Sequence, residues 1–189
     1  MKRSYRVRDY LSNPVVLISL FLRVASAIYI LFNPVLGFIL YLFFDFWDGY
    51  FFEQVEGLVE MPRPTYQRFD KYQDWLGYLF MVLVSLNSGY FPLMLALVFY
   101  RLLGTILFFL TRKQAIFVLF PNFIEPAFLW FILFPMAGVR ALPWVFILLI
   151  IVSEIREIFL HIYWPWTLKK NGFPLFLRKY FGVRKEAIW

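Results

Sequence analysis

The sequence predicts an all-α integral membrane protein, with six transmembrane helices and a juxtamembrane amphipathic helix before them. Three observations lead there. Hydrophobic residues make up 62% of the 189 positions, and the mean hydropathy of +0.68 is far above that of a soluble globule. The apolar residues fall into runs of roughly 20, the length needed to cross hydrocarbon as a helix. Charged residues are only 16% of the chain and gather between those runs.

The elements follow in order. Residues 1–12 carry Lys2, Arg3, Arg6 and Arg8 among Tyr5, Tyr10 and Leu11, which reads as a basic helix lying on the membrane surface. The first span covers 14–32 and is interrupted by one charge, Arg23. Asn33-Pro34 makes a tight turn into the second span, 35–53, which carries Asp45 and Asp48 in its second half. Residues 54–69, with Glu56, Glu60, Pro62 and Pro64, read as a polar connection. The third span starts near Asp70 and ends around Leu86, where Asn87-Ser88-Gly89 forms a turn. The fourth, 90–110, contains Arg101. The fifth, 115–136, follows the polar loop 111–114; Pro121 breaks it, and it holds Asn122 and Glu125. The sixth, 141–164, ends in Glu154, Arg156, Glu157 and His161. A basic aromatic tail occupies 167–189. The whole reads as one membrane domain, 1–189, with the six-span bundle at 13–166.

With six spans, the N terminus, the 54–69 and 111–114 connections and the tail share one side of the membrane. Nearly all loop Lys and Arg lie there, and only Arg140 lies opposite, so both termini are expected in the cytoplasm. The net charge of +7 then reports this bias and contact with anionic lipid rather than nucleic acid. The absence of cysteine excludes disulfides, thiolate metal sites and cysteine nucleophiles. A single histidine, His161, excludes a multi-histidine metal site within one chain.

The chemistry-bearing residues are four aspartates at the membrane edge. Asp45 and Asp48 stand at i and i+3, Asp70 and Asp74 at i and i+4, so each pair occupies one helix face. The spans that carry them place both pairs near the cytoplasmic surface. Ionised groups beside hydrocarbon are costly and mark functional sites. Four carboxylates gather only if protons or cations neutralise them, and oxygen ligands favour magnesium, manganese or calcium. Arg23 and Arg101 read either as substrate contacts or as snorkelling or paired structural charges. Asn122 and Glu125 read as interhelical hydrogen-bonding groups, or as functional ones. Glu154, Arg156 and Glu157 read as a structural polar network in which Arg156 pairs with an acid on a neighbouring span. His161 reads as a structural residue.

The stretch 45–74 resembles the signature of the CDP-alcohol phosphotransferases, membrane enzymes that make phospholipids. That pattern is Asp-x2-Asp-Gly-x2-Ala-Arg-x8-Gly-x3-Asp-x3-Asp. Asp45-x2-Asp48-Gly49 matches its start and Asp70-x3-Asp74 its end. Chain length, six spans, the surface helix and the motif on the second and third spans agree as well. Phe52 and Glu53 stand where Ala-Arg is expected, Tyr66 stands where the second Gly is expected, and the interval between Asp48 and Asp70 is four residues longer. The resemblance implies that Asp45, Asp48 and Asp70 hold metal, two Mg2+ or Mn2+ ions in all. It implies that Asp74 is the base and a further ligand, and that Gly49 lies at the nucleotide. Arg101 and Arg112 are similar in placement to residues that bind the acceptor alcohol. Donors for the nucleotide in place of the missing Arg are expected from Arg63, Arg68 and Lys71, with Arg68 favoured. The expected reaction moves a phosphatidyl-type group from a CDP-linked lipid to a small alcohol and releases CMP; a homodimer is implied by the resemblance alone. Two rivals remain open: the same fold with a changed donor or lost activity, and a small transporter that uses its intramembrane acids.

Overall fold

The structure is a computed structural model, and it describes residues 14–54, 63–111, 113, 115–138, 140 and 142–163, the side chains of 48–69, 160 and 163 excepted. The expected surface helix, the tail and Arg112 lie outside the described residues. The chain's regular structure is all helical, with no strand among the described residues. Two stretches of 21 residues, Phe91–Thr111 and Ile116–Met136, are long and apolar enough to cross a membrane; Pro14–Tyr29 and Pro34–Trp47 are shorter apolar helices.

Among the described residues, those up to Gly77 form one compact unit and those from Tyr78 a second. The first unit begins with α1, Pro14–Tyr29, and α2, Pro34–Gln54. Their connection is made by two residues with separate tasks. Asn33 accepts the Leu36 backbone N–H on its side-chain oxygen at 3.1 Å, satisfying an end donor of α2. Pro34 then starts the helix, where its missing N–H costs nothing. Buried positions of α1 recur at Val16, Ser19, Arg23, Ser26 and Ala27, the helical period of one face. That face carries an arginine and two serines, while Leu17, Ile18 and Phe21 point outward.

The third helix, α3, runs Arg63–Ser85. It begins seven residues before the expected start of the third span, so the end of the presumed polar connection is its first two turns. Pro64 fits this start, because a proline in the first helical turn is favourable. Gly77 gives α3 its close approach to α2. A Cβ there would stand 2.5 Å from the ring of Tyr41, which is fully buried.

The second unit contains α4, Phe91–Thr111, and then the helix broken at Pro121 as its sequence predicts. The pieces are α5, Ile116–Leu119; α6, Ile124–Phe128; a π-helical turn, Leu129–Leu133; and α7, Phe134–Met136. The wide turn relieves the clash that Pro135 would make with the carbonyl one turn earlier. Helix α8, Pro143–Ile158, ends in a second π-turn, Phe159–Tyr163.

The break at Pro121 frees backbone groups, and side chains of α4 and α8 take them up. Tyr100 donates to the Leu119 carbonyl and Arg101 to the Phe120 carbonyl. Glu157 accepts the Asn122 N–H at 3.1 Å, and Ser153 donates to the Asn122 carbonyl at 2.8 Å. Such a break is tolerated in an apolar setting only where neighbours satisfy it. Glu157 also meets Arg101 at 3.2 Å and His161 at 3.0 Å, and Arg156 pairs with Glu125 at 3.1 Å. Arg156 therefore bonds an acid on another helix, as expected. Arg101 lies 4.5 Å over the Phe117 ring, which also packs against His161. Gly104 is required here, because a Cβ would fall 2.4 Å from that of Phe120, beside the break.

Candidate metal centre

Three of the four aspartates meet in the first unit. Asp45 arrives from α2, Asp70 and Asp74 from successive turns of α3, and one oxygen of each lies within 4.8 Å of the others. The i, i+4 spacing on α3 aims the last two at one spot. Asp74 is buried, whereas the Asp70 and Asp45 side chains keep 16% and 25% of their exposure. The cluster thus has a closed floor and a partly open side. Asp48 lies one turn along α2 from Asp45, and its side chain, like that of Arg68 and the surroundings of Gly49, is outside the described residues.

Two cations sit among these carboxylates. Arg23, fully buried on α1, donates through Nη1 to Asp70 at 3.1 Å and through Nη2 to Asp74 at 2.6 Å. The same Nη2 reaches Asp45. Lys71 Nζ lies 3.0 Å from the second oxygen of Asp70 and 2.7 Å from that of Asp74. Among the described residues, three carboxylates therefore face two cations. Neutralisation by opposite charge is what allows like charges to approach this closely.

The sequence reading left Arg23 between substrate contact and structural pairing; it is paired, with three acids at once. Lys71, expected to serve a nucleotide, is also on the carboxylates. Their signals were present: Arg23 is the one charge of its span, and Lys71 stands three residues before Asp74. One group escaped the sequence reading altogether. Gln73 shares the α3 turn with Asp70 and Asp74 and is buried, yet neither atom of its amide has a hydrogen-bond partner among the described residues. Buried amides are otherwise almost always bonded.

The residues fit a hard cation. The donors are carboxylate oxygens, and their separation is short. They fit it only if Arg23 gives up its hold on the same oxygens. Arg101, expected to touch the acceptor, is buried in the second unit in the bonds to Glu157 and the Phe120 carbonyl. Comparison with known proteins finds no match among protein-family models, curated proteins or solved structures.

Proposed function

We propose that this chain is a six-span membrane phosphotransferase of the CDP-alcohol type, with its metal centre at the cytoplasmic face. The observation that carries the reading is the convergence of Asp45, Asp70 and Asp74 from two helices. The inverted burial supports the membrane setting: Phe21, Phe32, Phe46 and Leu110 are two-thirds exposed or more, while Arg23, Arg101 and Glu157 are buried. Asp45, Asp48 and Asp70 would hold Mg2+ or Mn2+. Bound there, the ions would neutralise the phosphoryl oxygens and ease departure of the leaving group.

The rest falls to the chain's own groups. The alcohol oxygen forms a bond to the lipid-linked phosphorus, the bond to the CMP oxygen breaks, and the alcohol proton passes to Asp74. Lys71, already on Asp74, holds that carboxylate in place. Gly49 and Arg68 are assigned to the nucleotide; Arg101, held by Glu157 and the Phe120 carbonyl in the second unit, is not assigned to the acceptor alcohol. A homodimer with cytoplasmic termini belongs to the same proposal. The test is incubation of purified protein with CDP-diacylglycerol, Mg2+ and a panel of alcohols, scored by CMP release. CMP release that requires both metal and alcohol is expected; none with any alcohol refutes the activity.

A second reading is favoured by one observation. Arg23 and Lys71 already occupy the carboxylates, and Glu53 stands where the pattern has Arg. The same fold would then work without CDP, or without catalysis, with the cations as its permanent charge balance. Mn2+ binding without any CDP binding would select the changed donor. Failure of both would select the inactive form.

A further inference from the structure

We propose, resting on the metal-centre reading, that Arg23 is a displaceable internal counter-cation that competes with a divalent ion for Asp45, Asp70 and Asp74. Its guanidinium reaches one oxygen of each of these three residues, and those three residues form the candidate ligand set. A divalent ion needs carboxylate oxygens at about 2.0–2.6 Å. With Nη2 2.6 Å from Asp74, the two positive groups cannot share that site. One must leave for the other to enter.

On α1, the buried positions one turn to either side of Arg23 are Ser19, Ser26 and Ala27, all small. Ser26 bonds the Arg23 backbone carbonyl and leaves the guanidinium alone. Lys71 makes its contacts with the second oxygens of Asp70 and Asp74, so part of the negative charge stays balanced while Arg23 moves.

Gln73 supplies the independent sign that a ligand belongs here. Its amide is buried and, among the described residues, unbonded with Arg23 in place, on the α3 turn that carries two of the three carboxylates. A neutral amide oxygen is a normal partner of a hard cation. Exchange of Arg23 for the ion would give that oxygen something to bind. The cage is therefore held together by its own arginine until a metal replaces it.

The experiment titrates Mn2+ into chelator-treated, purified parent, Arg23→Gln, Arg23→Lys, Gln73→Leu and Asp45→Asn proteins. Free Mn2+ is read by electron paramagnetic resonance, and the thermal midpoint is measured with and without the ion. Removing a charge-assisted buried bond that the metal must otherwise break should tighten Mn2+ binding roughly tenfold to a hundredfold in Arg23→Gln. Its midpoint should fall in chelator and recover with Mn2+, whereas the parent's should change little. Arg23→Lys keeps a point charge without the fork and should bind Mn2+ with intermediate affinity; it also carries the test if Arg23→Gln does not fold. Gln73→Leu should bind more weakly, and Asp45→Asn should abolish the tight site. Equal affinity in the parent and both Arg23 variants overturns the competition and leaves the metal centre standing. No Mn2+ bound by any variant overturns both. Unchanged affinity in Gln73→Leu removes Gln73 as a ligand.

Discussion

Each compact unit buries a charge cluster, and the two are fastened to the fold in different ways. In the first, Asp45, Asp70 and Asp74 meet Arg23 and Lys71 through side chains alone in the bonds described above. In the second, Glu125 and Glu157 meet Arg101, Arg156 and His161, and two of these, Arg101 and Glu157, also hold the backbone of a broken helix. Disturbing Glu157 exposes an unsatisfied peptide N–H as well as a buried charge. Disturbing Asp45 changes a charge balance among side chains. A cluster tied to backbone is part of the scaffold, and one made of side chains, with acid in excess, is free to exchange partners.

The comparison can be broken in several places. The largest effect is expected from Asp74→Asn, which removes the proposed base: CMP release should fall by about 10²–10⁴-fold while the protein stays folded. Retained activity would end its assignment as base. Next comes Glu157→Ala. Taking one partner from a buried, hydrogen-bonded pair costs about 3–5 kcal/mol, so the detergent-solubilised variant should lose most of its resistance to heat or denaturant.

Asp45→Asn sharpens the contrast, because Arg23 keeps Asp70 and Asp74. Its stability should change by less than about 1 kcal/mol, as for partly exposed pairs, while Mn2+ binding disappears. A loss as large as that of Glu157→Ala would show that the first cluster is scaffold too. Between the two glycines, Gly104→Ala should be the worse. Its Cβ would press on the chain at the break, whereas Gly77→Ala meets a ring that can shift. Overpacking of this kind costs about 1–3 kcal/mol, and equal unfolding midpoints would refute the ranking. The smallest effect should come from Asn33→Ala, where loss of the α2 cap costs roughly 1 kcal/mol, measurable as a small drop in midpoint.

Much of the helical layout is legible in the sequence because hydrophobic runs and turn residues are local signals. Asn33-Pro34, the break at Pro121, both ends of α4 and the start of α8 fall within two residues of where those signals put them. The start of α3 does not, because proline both ends and begins helices, and local composition alone does not say which. The pairing of Asp70 with Asp74 is likewise local, a matter of i, i+4 spacing.

What the sequence by itself determined is therefore periodic: which residues share a helix face, and that acids and bases lie within apolar runs. What only the tertiary structure decided is who neutralises whom. Arg23 is 22 positions from Asp45 and 51 from Asp74, and Glu157 is 56 from Arg101. No periodicity links such positions. They are joined because a buried charge must find a partner, and which partner lies within reach is set by how the helices pack.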